Sequence, residues 1–152
     1  MGYDVEVKDL PTRHVATIRV TTKPNRLGTT FGGVLPEVFA YLQERGIEPV
    51  GPSFGIFHEY GDEVDMEAGF PVLEQVPPSD RVTGRTLDAA RFAVTWHDGS
   101  YASIGEAHRA IEEWIGANGR QITGPPWEVY WTGPADGVEP SEYRTEVGYP
   151  IR

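Results

Sequence analysis

Hydrophobic and polar residues alternate at the start of the chain, and this pattern predicts β-structure. Tyr3, Val5 and Val7 are separated by charged residues, and a period of two is typical of a strand with one buried face. The branched residues of 14–20 predict a second strand. Similar patterns predict further strands at residues 54–60, 64–73, 82–87, 91–97, 127–132 and 143–151.

Two other stretches show the three-to-four-residue spacing of amphipathic helices. The clearer one follows Ser100, a plausible N-cap, and stops at Asn118-Gly119. Its apolar stripe consists of Ile104, Ala107, His108, Ile111, Trp114 and Ile115.

The earlier helix ends at Arg45-Gly46, where glycine supplies a left-handed C-cap. The sequence leaves two candidate starting points for this helix. Leu35-Pro36 is one candidate, because proline is accepted in a first turn; the other is Thr29 or Thr30, with a bend at Pro36. The expected buried stripe consists of Val34, Val38, Tyr41 and Leu42.

The chain repeats itself. Gly51-Pro52 and Gly124-Pro125 each introduce an aromatic strand, and Glu67-Ala68-Gly69-Phe70-Pro71 matches Glu146-Val147-Gly148-Tyr149-Pro150. The 152 residues suit one domain. We therefore predict a single α+β domain over 1–152, built from two β-α-β-β modules that a pseudo-twofold axis relates. The repeats span about 1–76 and 80–152, each has an additional leading strand, and a groove between them would be a natural pocket.

Composition narrows the function. A formal net charge of −10 and a pI near 4.8 argue against nonspecific binding to nucleic-acid phosphates and favour cationic ligands, although solubility alone accounts for much of the charge. The chain contains no cysteine, which excludes disulfides and thiolate chemistry. It shows no signal peptide and no apolar run of about 20 residues. We expect a cytoplasmic protein that does not engage membranes.

Several familiar catalytic and metal patterns do not fit. Residues 51–55 spell the G-x-S-x-G nucleophile elbow, but the elbow needs a strand before the serine and a helix after it, and the predicted order here is reversed. The four histidines lack H-x-x-x-H spacing, and the acidic residues of 62–67 lack the spacing of a calcium loop. We expect no metal site and no cofactor.

The predicted strand 127–132 is the richest in candidate chemistry. Its alternation places Glu128 and Tyr130 on one face and Trp127 and Trp131 on the other. A carboxylate on an interior strand must be paired, hydrogen-bonded or awaiting a ligand. A salt bridge to an arginine, or a position on an exposed face, is the structural alternative. Surrounded by aromatic side chains, the carboxylate would suit a flat organic cation. The other aromatic candidates are Phe54, Phe57, Tyr60, Phe70, Trp96 and Tyr149.

These residues carry a family resemblance over essentially the whole chain. Residues 119–132, with Gly124-Pro125-Pro126-Trp127-Glu128-Val129-Tyr130, resemble the signature of GyrI-like domains, also called AraC effector-binding domains. Residues 64–72 and 143–151 resemble it too. The segment His97-Asp98-Gly99-Ser100-Tyr101 is similar to the family's His-x-Gly-Pro-Tyr, with Ser100 in place of proline.

The resemblance implies tandem SHS2-like β-α-β-β modules, with Glu128 projecting into a ligand groove. Family members bind diverse compounds, often aromatic cations. We therefore predict a stand-alone binding protein for flat, hydrophobic, cationic molecules, with Glu128 as counter-charge. The predicted aromatic walls are Tyr130, Trp131, Trp96, Phe57 and Tyr149.

Two alternatives stay open. Some relatives hydrolyse cyclopropane-bearing toxins; in that case Glu128 would activate water and Tyr130 would donate a proton. Others inhibit DNA gyrase, and the acidic charge would suit such a partner protein. The effector module accounts for the whole length of the sequence, so we expect no direct DNA binding.

Overall fold

The structure, a computed structural model, describes residues 2–152 and has an α+β fold, as predicted. Both helices and the strands lie close to their predicted positions. In this part of the chain the strands are β1 (Glu6–Leu10), β2 (Arg13–Thr22), β3 (Phe54–Tyr60), β4 (Val64–Val72), β5 (Thr83–Leu87), β6 (Ala90–Asp98), β7 (Trp127–Thr132) and β8 (Arg144–Ile151). The helices are α1 (Leu27–Glu44) and α2 (Ile104–Ala117).

The chain folds into two compact units. The contiguous unit comprises residues 11–89, and the split unit combines residues 2–10 with 90–152. The contiguous unit has the antiparallel strand order β5-β2-β4-β3, with α1 on β2 and β4. The split unit has the order β1-β6-β8-β7, with α2 on β6 and β8. Both units therefore have the same spatial order of strands and the same helix placement, but the edge strand comes last in the contiguous unit (β5) and first in the split unit (β1). The superposition of the two halves about a pseudo-twofold axis stays a prediction.

The leading strands do not pair with the strands that directly follow them in sequence. β1 precedes β2 but pairs with β6, where Glu6 lies opposite Val94. β5 precedes β6 but pairs with β2, where Thr86 lies opposite His14. The boundaries of the packing units therefore differ from those of the predicted repeats, about 1–76 and 80–152. The repeats were defined by sequence similarity, whereas the units are defined by packing.

Helix α1 begins at Leu27 and runs through Pro36. Of the two predicted starts, the one that places Pro36 inside the helix is therefore closer, and the start at Leu35-Pro36 is wrong. Its predicted buried stripe is confirmed, since Val34, Val38, Tyr41 and Leu42 are its buried residues. After α1, Gly46 has φ 67°, and the Ile47 N–H donates to the Leu42 carbonyl at 2.9 Å. This is the predicted left-handed C-cap.

Helix α2 begins one turn later than expected. Ser100 precedes a short 3-10 turn, Tyr101–Ser103, and its side chain forms no capping hydrogen bond. The prediction that Ser100 caps α2 is therefore wrong. The helix buries Ala107, Ile111 and Ile115 against its unit. Gly119, with φ 66°, ends it, and the Arg120 N–H donates to the Ile115 carbonyl at 3.0 Å.

Both predicted hairpins are confirmed. β3 pairs antiparallel with β4, and β7 with β8. The glycines of the repeated motif lie where a side chain would not fit. A Cβ at Gly69 would lie 1.8 Å from the Ala16 carbonyl oxygen, and one at Gly148 would lie 2.7 Å from the Trp127 ring. Close packing therefore accounts for the glycine in both copies of the motif.

Candidate functional site

Glu128 is a buried carboxylate on the helix-facing side of β7. Glu128 is 8% exposed and lies opposite Val147 of β8. Val147 and Tyr149 belong to the core that packs against Ile111 of α2. Residues directly opposite in an antiparallel pair share a face, so the Glu128 side chain points towards α2.

This carboxylate belongs to a chain of four hydrogen-bonded side chains. The Tyr130 hydroxyl donates to Glu128 Oε1 at 2.8 Å. His108 of α2 places Nε2 2.6 Å from Glu128 Oε2. The other ring nitrogen of His108, Nδ1, lies 2.8 Å from the Tyr149 hydroxyl.

One assignment of protons satisfies every contact in this chain. Tyr149 donates its hydroxyl proton to His108 Nδ1, His108 donates Nε2–H to Glu128, and Tyr130 donates to the second carboxylate oxygen. In this assignment the imidazole is neutral and Glu128 is ionised. The buried chain of groups then carries one net negative charge, a suitable counter-charge for a cation.

Both tyrosines in the chain hold their protons firmly. Burial, followed by the nearby Glu128 charge, raises the pKa of Tyr130 well above 10. Burial, Glu112 and Glu128 likewise raise the pKa of Tyr149. Both groups are therefore hydrogen-bond donors at neutral pH rather than additional anions.

Further tyrosines extend this cluster. The Tyr101 ring lies edge-on to Tyr130 at a centroid distance of 5.8 Å and lies 5.1 Å from the Tyr143 ring. Burial is the main cause that raises the pKa of Tyr101 to about 12. Thr145, directly opposite Tyr130 on β8, has a buried hydroxyl without a hydrogen-bond partner among the described residues. The split unit thus combines a buried carboxylate with aromatic surfaces and a polar group.

The other predicted wall residues lie elsewhere. Trp131 donates Nε1–H to Glu146 Oε1 at 3.2 Å. Glu146 alternates with Val147 along β8, so Trp131 lies on the opposite side of the strands from Glu128. Trp96 packs against Trp131 there, at 6.0 Å between ring centroids. Phe57 belongs to the core of the contiguous unit.

The contiguous unit has a buried carboxylate of its own. Glu67 is 2% exposed. Arg85 donates to both of its oxygens, at 2.8 and 3.1 Å, and Thr17 donates at 2.8 Å. His58 Nε2 lies 2.7 Å from Oε1. This carboxylate is paired with a guanidinium, in contrast to Glu128.

Sequence reasoning missed three residues of the Glu128 cluster. His108 counted only as a member of the stripe of α2, and Tyr101 and Tyr143 were not singled out. A histidine in an otherwise apolar helix stripe, facing a strand that carries a glutamate, is the signal that points to His108. The contact with Tyr143 depends on tertiary packing and left no comparable signal.

Within residues 2–152, no cluster of three or more histidine, aspartate or glutamate side chains is arranged to hold a metal. In the same range neither helix is long and apolar enough to cross a membrane.

Comparison with solved structures shows close relatives of the fold. The C-terminal domain of EcmrR has a TM-score of 0.90 at 21% identity, over 100% of this chain and 99% of that domain. The EcmrR chain in a complex with DNA has a TM-score of 0.89 at 20% identity, over 99% of this chain and 57% of the EcmrR chain. The structure of SAV2435 bound to tetraphenylphosphonium has a TM-score of 0.59 at 14% identity, over 100% of this chain and 94% of the SAV2435 chain.

A search of curated proteins finds no match. A family model, by contrast, covers nearly the whole sequence. The model of the GyrI-like small molecule binding domain matches residues 3–152. The chain therefore belongs to the GyrI-like family of small-molecule-binding domains.

Proposed function

We propose that this protein binds flat, hydrophobic, cationic small molecules, with Glu128 as the counter-charge. The observation that carries the proposal is a buried carboxylate whose partners are a tyrosine hydroxyl and an imidazole. A hydroxyl and an imidazole in its neutral form hold the carboxylate in place without cancelling its charge. The family assignment supports small-molecule binding, and the related fold of SAV2435 has a hydrophobic cation as its ligand.

The tyrosines around Glu128 make the proposal more specific. Their rings attract a cation through their π-faces, and a buried carboxylate interacts strongly with a cation because little water screens it. We assign Tyr130 and Tyr101 to this aromatic surface, with Tyr149 acting through His108. Trp96 and Trp131 belong to the opposite side of the strands, so they are not needed for this mode. The predicted contribution of Phe57 stays a prediction.

Removing the Glu128 charge while keeping its shape tests the proposal. We expect Glu128→Gln to weaken binding of tetraphenylphosphonium by about 1–3 kcal/mol, the range for a charge-assisted contact. The neutral triphenylphosphine oxide should bind both proteins alike. Isothermal titration measures both affinities. Glu113→Gln, on the exposed face of α2, is the matched control for the loss of one charge. Equal losses for the cation and the neutral compound would refute charge recognition.

The hydrolase alternative uses the same residues, and the hydrogen bond from Tyr130 to Glu128 is the observation in its favour. A general acid works best with a pKa near the working pH. Burial raises the pKa of Tyr130, further away from neutral pH. For this reason we favour binding over hydrolysis. Incubation with a cyclopropane-bearing alkylator, followed by mass spectrometry, decides the matter. Turnover that Tyr130→Phe abolishes without loss of affinity would establish the hydrolase.

The remaining expectations stay predictions. They are a cytoplasmic location, no direct DNA binding, and gyrase as an alternative partner. A supercoiling assay with purified gyrase tests the last of them directly.

A further inference from the structure

The contiguous unit has an open surface cleft on the side where α1 ends. The cleft has a volume of about 1020 Å³. It lies between the last turns of α1, the loop before β3 and the segment after β4. Its lining residues are Phe39, Gln43, Gly46, Ile47, Glu48, Pro49, Val50, Leu73, Glu74 and Gln75.

This cleft collects exposed apolar side chains. Phe39 is 40% exposed, Val50 60% and Leu73 74%. Single exposed hydrophobic residues are ordinary on a protein surface, but a group of them around one depression is typical of an interaction site. The three residues come from three different segments, so the grouping is a product of the fold.

The split unit shows that the fold does not require apolar residues here. The two units can be aligned through matching backbone hydrogen bonds. The Val50 N–H donates to the Pro71 carbonyl at 2.9 Å, and the Thr123 N–H donates to the Pro150 carbonyl at 2.9 Å. Val50 therefore corresponds to Thr123, a polar residue.

The same alignment extends to the other two positions. The helix-ending glycines, Gly46 and Gly119, correspond, and counting back from them pairs Phe39 with Glu112. Counting on from the two prolines pairs Leu73 with Arg152. At all three positions one unit has an exposed apolar residue and the other a polar or charged one. Apolar residues at these positions are therefore a feature of the contiguous unit and are not required by the arrangement that both units share.

Charge indicates what the cleft accepts. Its lining includes the carboxylates of Glu48 and Glu74 and no cationic side chain among the described residues. The neighbouring Arg45 stacks on the Tyr41 ring at 3.9 Å and lies 3.8 Å from a Glu44 oxygen. A second copy of this chain, with its net charge of −10, would be repelled.

We propose that this cleft docks a basic amphipathic helix of another protein. The apolar face of the helix would cover Phe39, Val50 and Leu73, as in other helix-in-groove complexes. Its lysine or arginine side chains would face Glu48 and Glu74. The proposal is independent of ligand binding at Glu128.

A synthetic leucine–lysine peptide with helical periodicity serves as the probe, and fluorescence anisotropy measures its affinity. The test protein carries Phe39→Glu, Val50→Thr and Leu73→Arg, which introduce the residues of the split unit at exposed positions. We expect this variant to bind the peptide at least about tenfold more weakly, because a few anchor residues dominate such interfaces. Ile122→Thr, which removes a 46% exposed apolar residue of the split unit, should bind as the unchanged protein does.

A second pair of variants separates local charge from overall charge. Glu48→Gln with Glu74→Gln should weaken peptide binding, whereas Glu112→Gln with Glu113→Gln should not. Equal affinity of the triple variant and the unchanged protein would mean nonspecific attraction and overturn the proposal. Equal binding of a leucine–glutamate peptide would overturn it as well. A dimer in light scattering that the triple variant abolishes would identify a second copy as the occupant instead.

Circular dichroism and tetraphenylphosphonium titration of the triple variant complete the design. Unchanged spectra show that the variant folds. Unchanged binding of the cation shows that a loss of peptide binding is specific to the cleft, so the two proposals can fail separately.

Discussion

Glu67 and Glu128 are both buried glutamates, at different strand positions of units with the same spatial strand order, and their partners differ. Arg85 donates two hydrogen bonds to Glu67, so a fixed positive charge accompanies that carboxylate. Glu128 has Tyr130 and His108 instead. A guanidinium stays charged under all ordinary conditions, whereas a hydroxyl and a neutral imidazole only stabilise the anion.

This difference separates a structural carboxylate from one suited to binding. An ion pair with two hydrogen bonds satisfies Glu67 within its own unit. With His108 in its neutral form, the Glu128 cluster keeps a net negative charge that an incoming cation can neutralise. Burial alone would not have distinguished the two residues, since both are almost inaccessible.

The largest effect that we expect comes from the glycines of the repeated motif. Gly69→Ala should destabilise the protein by more than about 3 kcal/mol, because its Cβ would meet the Ala16 backbone, which cannot rotate away. Gly148→Ala should cost about 1–3 kcal/mol, because it meets the Trp127 ring, a side chain that can shift. Urea unfolding measures both. Equal losses would show that the two copies tolerate a side chain alike.

The next largest loss of stability should come from one of the two buried glutamates and not from the other. Glu67→Gln removes the charge that Arg85 neutralises and should cost about 1–3 kcal/mol, less than for a fully buried pair because Arg85 is 39% exposed. Glu128→Gln should change the free energy of unfolding by less than about 1 kcal/mol, since Tyr130 can donate to the amide oxygen and the other tautomer of His108 can accept from the amide NH2. A larger loss at Glu128 than at Glu67 would reverse our interpretation of the two sites.

Alkaline pH should destabilise the protein through the tyrosines of the Glu128 cluster. Burial raises the pKa of Tyr101 to about 12 and raises that of Tyr130 as well. A raised folded-state pKa means that this contribution to stability is complete below pH 10, the value for unfolded tyrosine, and is lost as the pH rises through about 12. Thermal melts across this window should show a falling melting temperature, and Tyr101→Phe should make the fall shallower. An unchanged slope in that variant would argue against the assignment.

Substitution of the helix-ending glycines should have small effects that are equal in the two units. Gly46→Ala and Gly119→Ala each place a side chain at φ near 67° with open space around it. The cost is then only that of the left-handed backbone, about 1 kcal/mol each. Denaturant unfolding should show equal and additive losses. A marked inequality would mean that one helix end has a further constraint.

Much of the fold could be predicted because it depends on local pattern. The stripe of Val34, Val38, Tyr41 and Leu42 followed from helical spacing, and the hairpins followed from alternation and repetition. The path of α1 through Pro36 was open in the sequence, since proline disfavours a helix interior without forbidding it.

The site was less predictable because it depends on contacts distant in sequence. Alternation placed Glu128 and Trp131 on opposite faces, yet the family pattern grouped them as walls of one groove. Neither signal predicted that His108 would lie between Glu128 and Tyr149. The ion pair of Glu67 with Arg85 was also missed, because Glu67 was considered only as part of the repeated motif and of the acidic segment 62–67.

The position of β1 has a consequence for the order of folding during synthesis. Glu6 is translated early, but its partner Val94 emerges only after the whole contiguous unit. At the usual rate of about 5–20 residues per second, β1 waits several seconds for its neighbour. Residues 11–89 contain all the strand partners of their own unit and can fold in that interval. The split unit, which carries Glu128, can close only when β6 and β8 have left the ribosome, so the Glu128 cluster forms later than the contiguous unit.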